Sequence, residues 1–430
     1  MTLLRGQSGQ LELGGVDLAE VARDPSLGTP TYVYDLSAIA REALALHAAF
    51  AGEPHLIAYA VKANSAGAVV RALATAGCGA DVVSLAELTL ALACGIAPNE
   101  ILFSGVAKLD HELDAAIGAG SGGIGAIQLE SVEEIARVVA RARLAGRKAR
   151  VSLRLNPEAP HALTDTHAHI ATGHDDAKFG IHKADVAEAI ALVLAAPELS
   201  LAGLSTHVGS QFTATTAYLE AARALFTVAS DVRQAGASSL RFVDTGGGFG
   251  IDYGTGCPVT PAEFVRQTQI LKSALGLGDL AHYIEPGRAL VAAHGVLLSS
   301  VVQHKVTPRG PAENVRRRWL MIDAGMNDLL RPALYQARHR VEVVAASDAA
   351  RIPWQVVGPV CESADDFGVH ELPAIPPTLL AILDAGAYGY SMASRYNGRA
   401  LPAEVFVQDG RVIAARGRDD LSVWVNDRKP

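Results

Sequence analysis

The sequence predicts an α/β fold: an eight-stranded (β/α)8 barrel, then a C-terminal all-β domain of β-sandwich or Greek-key type that the N-terminal strand joins. Two observations carry this. Between about residues 35 and 290, short β-branched or apolar runs alternate with longer alanine-rich stretches, the pattern of parallel strands joined by crossover helices. After about residue 290 the apolar runs are separated by Gly, Pro and Asp turns, which reads as strand throughout. A doubly wound open sheet is the alternative. Its glycine-rich turn would follow the first strand, where this chain instead has Val61-Lys-Ala-Asn64.

In order, the first thirty or so residues end in an extended run at Thr31–Tyr34. Barrel strands are expected near Leu56–Val61, Ala80–Val83, Ile101–Phe103, Ala126–Leu129, Arg150–Leu155, Leu201–Thr206, Leu240–Asp244 and His282–Ile284. Helices are expected at Gly67–Ala76, Leu85–Ala93, Val132–Ala145, Ala184–Ala195, Thr216–Gln234 and Pro261–Leu275, several opened by a capping residue. The β domain takes its strands from Val291–Val302, Trp319–Ile322, Val341–Ala345, Trp354–Val357, Leu379–Leu383 and Val405–Val407. The expected division is 1–34 with the β domain, 35–290 as the barrel and 291–430 as the β domain.

Composition bounds the function. A chain of 430 residues is too long for one growing core, so two domains are expected. Half the residues are hydrophobic and 19% charged, as in a folded enzyme rather than a disordered chain. A net charge of -8 with interspersed signs offers no basic stripe for nucleic acid; the run Arg316-Arg317-Arg318 reads as a solvated loop edge. Cys78, Cys94, Cys257 and Cys361 are widely spaced, which suggests neither a disulfide framework nor a metal site. No secretory leader or membrane-spanning run is legible, so a cytoplasmic location is expected.

In such a barrel the active site lies at the carboxyl ends of the strands, so the polar residues there are the ones to weigh. Lys62, with Asn64, follows the first strand; a desolvated lysine there would be a nucleophilic amine, and the plain reading is a lysine reaching the barrel rim. Ser84 and Glu87 follow the second. His207, Gly209, Ser210 and Gln211 follow the sixth, the histidine being either structural or a flat partner for a ring. Asp244 and the run Gly246-Gly247-Gly248-Phe249-Gly250 follow the seventh; the glycines are either a loop or a backbone cradle for a phosphate. Glu285, Gly287 and Arg288 follow the eighth. Glu285 either pairs with Arg288 or meets a cationic ring nitrogen. The β domain adds Arg331 and Tyr335, Cys361 and Glu362, and Tyr388. An arginine suits a planar carboxylate, a glutamate an ammonium group, and Cys361 is either an inert thiol or a proton donor.

Taken in sequence, Tyr59-Ala-Val-Lys-Ala-Asn64, Lys178-Phe-Gly-Ile181, His207-Val-Gly-Ser-Gln211, Gly246-Gly-Gly-Phe-Gly250, Glu285-Pro-Gly-Arg288, Met326-Asn-Asp-Leu-Leu-Arg-Pro-Ala-Leu-Tyr335, Cys361-Glu-Ser363 with Asp365, and Ala385-Gly-Ala-Tyr388 through Asn397 form a near full-length pattern. It resembles the diaminopimelate decarboxylase family, within the alanine racemase-like, fold-type III pyridoxal-phosphate enzymes. The resemblance implies that Lys62 carries pyridoxal 5'-phosphate covalently and His207 stacks on its ring. It implies that Ser210, Gly246, Gly247, Gly248, Gly287, Arg288 and Tyr388 hold the cofactor, with Glu285 on the pyridine nitrogen. Arg288, Arg331, Tyr335, Glu362 and Tyr388 would bind substrate, and Cys361 would be the acid. It further implies a homodimer in which the Cys361 segment of one subunit completes the site of the other. The reaction implied is decarboxylation of meso-2,6-diaminopimelate at its D centre to L-lysine.

Other readings are a decarboxylase of ornithine, lysine or arginine, an amino-acid racemase, or a non-catalytic cofactor-binding regulatory protein. The run Arg331-Pro-Ala-Leu-Tyr335 speaks against the first, a cysteine where a tyrosine base is wanted against the second, and the β domain with its arginine, cysteine and carboxylate against the third.

Overall fold

A computed structural model describes residues 3–157, 177–256, 259–308 and 316–429. Cys257 lies outside them. The chain divides into two compact units, one comprising Met1–Ile39, Asp252–Gly256 and Leu290–Pro430, the other Ala40–Ile251 and Cys257–Ala289.

The second unit is the closed parallel barrel that the alternation predicts. Its strands run His55–Ala60, Gly79–Val82, Ile101–Phe103, Ala126–Leu129, Ala149–Arg154, Leu199–Ser205, Phe242–Asp244 and Ala281–Ile284, each paired with its neighbours in the chain and the last with the first. A helix at Asp110–Gly118 supplies the crossover after the third strand, which the sequence reading left blank. Its apolar face is short, so periodicity was weak there. Helix ends follow local chemistry. In Val132–Ala145, Ser131 caps the amide of Glu134, acids fill the first turn, and left-handed Gly146 ends it.

Inward-facing residues form two layers. Toward the amino ends of the strands lie Leu56, Ala58, Leu102, Ala126, Ala202 and Phe242, with Tyr283 stacked on Phe242 at 4.2 Å. Gly203 makes room for that pair, since a Cβ there would stand 2.2 Å from the Phe242 ring. Toward the carboxyl ends the layer turns polar, with Asp81, Gln128, Ser152, Ser205 and Asp244 all buried. Burying polar groups is costly, and Asp81, Gln128, Ser205 and Asp244 are hydrogen-bonded there, so this layer marks the end where chemistry is built.

The other unit is built on a nine-stranded sheet ordered Asp366–Pro373, Arg351–Val357, Arg316–Ile322, Gly295–Pro308, Thr31–Asp35, Ala403–Gln408 and Arg411–Arg416. Leu379–Ile382 branches off the Gly295–Ser300 half of the long strand and carries Val341–Val343. Thr31–Asp35 lies inside this sheet, antiparallel to Gly295–Leu298 and parallel to Ala403–Val407, so the N-terminal strand joins the β domain. Leu11, Leu13 and Leu18 pack with Val33, Val296, Leu298, Val405 and Val407 into its core. Two strands were not legible, Asp366–Pro373 with its glycine and proline and the wholly exposed Arg411–Arg416. The basic run is corrected from a loop edge to a strand start, where Arg317 stacks on Trp319 at 4.3 Å and bonds Gln355. Val291 ends a helical turn, Arg288–Val291, so the long strand begins only at Gly295.

Candidate active site

Lys62 stands in a single 3-10 turn, Val61–Ala63, at the carboxyl end of the first barrel strand. Its Nζ lies 2.7 Å from Asp81 Oδ2, and Asp81 is wholly buried and also accepts a bond from the Ser104 hydroxyl. The lysine side chain is 41% exposed, so the expected desolvation is corrected: a buried carboxylate holds this amine at an open mouth. Asn64 serves the turn itself, its Oδ1 accepting from the Ala66 amide. Ser84 and Glu87 form a helix cap in which Ser84 Oγ accepts from the Glu87 amide and Glu87 Oε2 from the Val83 amide.

Deeper in the barrel, Gln128 Nε2 donates to Glu285 Oε1 at 2.5 Å and to Asp244 Oδ2 at 3.4 Å, while Ser205 Oγ donates to Gln128 Oε1 at 2.7 Å. The alternative partner considered for Glu285, Arg288, instead donates to Ser210 Oγ at 3.1 Å. Burial pushes the Glu285 carboxyl well above the usual range, and the nearby Asp244 and Asp81 carboxyls push it further. Asp244 is raised by burial too. Two adjacent buried carboxyls of this kind are poised to receive a cation.

His207 Nδ1 accepts from the Gly247 amide at 3.1 Å; an amide can only donate, so the ring proton sits on Nε2. Burial, followed by the positive charges of Arg154 and Lys62, holds the imidazole well below its ordinary value and therefore neutral. Behind it, Arg154 donates to the His207 carbonyl at 3.4 Å and to Glu130 Oε1 at 2.9 Å, and Glu130 also accepts from the amides of Gly105 and Gly180. Lys178-Phe-Gly-Ile181 thereby belongs to the site's support, with Phe179 under the Arg154 guanidinium at 4.9 Å.

The glycine run is needed for close packing. A Cβ on Gly246, Gly247 or Gly248 would stand 2.5, 2.0 or 2.3 Å from the carbonyl oxygens of Thr206, Glu285 or Gly209. The expectation of a cradle built from the whole run's amides is corrected, because Gly246 N–H donates to Asp244, Gly247 N–H to His207 and Gly250 N–H to the Phe212 carbonyl. Ser210 Oγ and Arg288, which follows Gly287, meet here and could hold an anion.

The β-domain residues form their own clusters. Arg331 opens the short helix Arg331–Tyr335, is buried, and lies 2.8 Å from His339 Nε2 with the Tyr253 ring 4.8 Å from its guanidinium. Cys361 and Glu362 are exposed on a turn organised by buried Asp365, which accepts from the amides of Met326 and Val360. Tyr396 OH donates to Glu362 Oε1 at 2.5 Å and Asn397 Oδ1 accepts from the Cys361 amide. Tyr388 holds a left-handed φ of 55°, costly for an aromatic residue and imposed by its surroundings.

The model of the family described as "Pyridoxal-dependent decarboxylase, pyridoxal binding domain" matches residues 36–292. The chain belongs to the pyridoxal-dependent decarboxylases. It is 37% identical over 429 residues to the diaminopimelate decarboxylase of Zymomonas mobilis, covering 98% of this chain and 97% of that one. The diaminopimelate decarboxylase of Helicobacter pylori, solved with L-lysine, superposes with a TM-score of 0.84 at 37% identity over 93% of this chain and 96% of that one. That of M. jannaschii, also with L-lysine, gives 0.90 at 31% identity over 100% and 98%. The family resemblance and the fold read from the sequence are borne out, and the chain is a carboxy-lyase of this family.

The residues present fit the decarboxylases' cofactor. A primary amine stands exposed beyond the first strand, a neutral imidazole is held beyond the sixth, buried carboxyls pushed up by burial would be stabilised by a protonated ring nitrogen, and a serine and an arginine meet where they could hold a phosphate. Asp81, Gln128, Glu130, Arg154, Tyr253, His339 and Tyr396 escaped the sequence reading as site residues. Four of them had a signal: Asp81 and Gln128 are polar residues inside otherwise apolar strands, Arg154 ends a strand and Glu130 follows one.

Proposed function

We propose that this decarboxylase removes the carboxyl group at the D centre of meso-2,6-diaminopimelate, giving L-lysine and carbon dioxide, with pyridoxal 5'-phosphate carried on Lys62. What supports the reading most is the pairing of Lys62 with a polar barrel layer ending in Glu285, in a chain alike over nearly its whole length to diaminopimelate decarboxylases.

Bound pyridoxal phosphate supplies an electron sink for the bond that breaks. Lys62 Nζ would be the attachment point, and the Asp81 carboxylate would hold that amine as an ammonium whenever it is free of the cofactor. Glu285, held by Gln128, keeps the ring nitrogen protonated, because a buried carboxylate is stable only beside a cation. His207, fixed by the Gly247 amide, offers a flat neutral ring for stacking. Ser210, Arg288, Gly248, Gly287 and Tyr388 hold the phosphate. Arg331 with Tyr335 and Tyr388 receives the distal carboxylate and Glu362 the distal ammonium, so that the scissile bond is oriented by the remote end of the substrate. Cys361 delivers the proton to the reacting carbon. The exposure of Cys361 and Glu362 suits a homodimer in which this turn serves the partner's site.

The test is incubation of the purified protein with meso-diaminopimelate, ornithine, lysine and arginine, measuring carbon dioxide and identifying the product. L-lysine formed from diaminopimelate alone is expected, and Lys62→Ala should lose both the yellow chromophore and turnover. Release of carbon dioxide from ornithine but not from diaminopimelate would overturn the assignment.

A further inference from the structure

Asp244 ends the seventh barrel strand and Glu285 follows the eighth, and the backbone sets their carboxyls side by side. Asp244 lies opposite Tyr283 across the two strands, and the Glu285 amide donates to the Gly246 carbonyl at 2.9 Å. The two carboxyls are hydrogen-bonded to each other. Gln128 Nε2 reaches an oxygen of each, Glu285 Oε1 at 2.5 Å and Asp244 Oδ2 at 3.4 Å, while Asp244 Oδ1 accepts from the Gly246 amide at 2.8 Å. Both residues are buried.

An ionised carboxylate only accepts hydrogen bonds, so a bond between two carboxyls requires a proton on one of them. The surrounding charges do not remove that requirement. Lys62 and Arg154 act on the pair through space but are bonded to Asp81 and Glu130, at 2.7 and 2.9 Å. Asp81 adds negative charge, and the phenols of Tyr218 and Tyr283 near the pair are kept neutral by burial. Burial raises both carboxyls, Asp244 to about 7 and Glu285 well above the ordinary range, as expected of a pair that cannot ionise twice.

A ring nitrogen carrying one positive charge is matched by one negative charge, not two. We propose that Asp244 and Glu285 share a single proton, and that Asp244 is a positioning residue that takes it over when Glu285 meets the cationic ring nitrogen of the cofactor. The O–H bond on Glu285 breaks and one forms on Asp244, with no proton or electron exchanged with solvent. Glu285 is then ionised where the cation needs it, and the Asp244 hydroxyl becomes its second donor beside Gln128. This rests on the reading of Glu285 given above.

The experiment is an infrared difference spectrum, pyridoxal-phosphate-loaded minus cofactor-free full-length protein, recorded on protein isotopically labelled at the side-chain carboxyl of aspartate or of glutamate. Carboxyls that loading does not alter cancel. A protonated-carboxyl band that shifts with the glutamate label should be lost on loading, and one that shifts with the aspartate label should appear. The aspartate band should be absent from Asp244→Asn. In equilibrium binding of pyridoxal phosphate, Asp244→Leu should weaken affinity about tenfold, the size of one charge-assisted hydrogen bond. Asp244→Asn, whose amide keeps a donor for Glu285 and an acceptor for the Gly246 amide, should stay within about threefold of the parent. The labelled parent carries the test if the variants do not fold. Proton sharing is overturned if no aspartate band appears on loading, or if Asp244→Asn weakens affinity as much as Asp244→Leu does. If Glu285→Gln still weakens binding in that case, the Glu285 reading stands. If Glu285→Gln binds the cofactor as tightly as the parent with unchanged absorbance, both fall.

Discussion

Gln128 and Glu285 meet across the barrel interior at 2.5 Å, with the Ser205 hydroxyl on the far side of the amide fixing which of its atoms faces the carboxyl. A donor aimed at a buried carboxyl favours its ionised form against burial and against Asp244.

Gln128→Leu should therefore raise Glu285 further and weaken its hold on a protonated ring nitrogen. The expected result is a kcat lower by about tenfold, with a smaller change in KM, since the interaction strengthens as charge develops. Gln128→Asn, shorter by one methylene, should recover part of it. The check is steady-state carbon dioxide release across pH.

Gly203→Ala should destabilise the barrel without touching the site. Its Cβ would be driven into the Phe242 ring, which is stacked on Tyr283 and cannot step aside. A loss of about 1–3 kcal/mol is expected in urea unfolding, with kcat retained in the folded fraction.

Lys108 and Glu134 are a buried ion pair at 3.1 Å, the lysine also donating to the carbonyls of Gly105 and Gln128. Glu134→Leu strands a buried charge and should cost about 3–5 kcal/mol. The double variant Lys108→Met with Glu134→Leu should recover part of that loss, which a double-mutant cycle by denaturant unfolding would measure.

His282 carries an acid liability. Burial, with Lys272 and His55 nearby, lowers its pKa to about 3, and its Nε2 lies 2.7 Å from Thr245 Oγ1. Between the unfolded value near 6.5 and about 3, the unfolded chain binds a proton that the folded chain refuses. Stability should fall as pH drops through that window, by up to about 1.4 kcal/mol per pH unit from this group. His282→Gln should flatten the slope of unfolding free energy against pH there, read by denaturant titrations at pH 6.5, 5 and 4.

Much was legible in the sequence. Strand periods and the residues just beyond each barrel strand predicted Lys62, His207, Ser210, the glycine run, Glu285 and Arg288 at one end of the barrel, because a parallel barrel delivers every strand's successor to the same face. The partners that give those residues their properties were not legible. Asp81 is 19 positions from Lys62, Gln128 is 157 from Glu285, and Gly247 is 40 from His207. Sequence spacing says nothing about such pairs until the barrel closes.

What the sequence alone determined is therefore the fold class and the set of chemical groups, since strand period, turn residues and residue type are local properties of the chain. Only the tertiary structure decided their states. Lys62 is an exposed ion-paired amine rather than a desolvated one, His207 is neutral, Glu285 is raised by burial and neighbouring carboxyls, and Gly246 and Gly247 serve close packing. Charge state depends on burial and on neighbours distant in the chain, and those exist only once the backbone has brought them together.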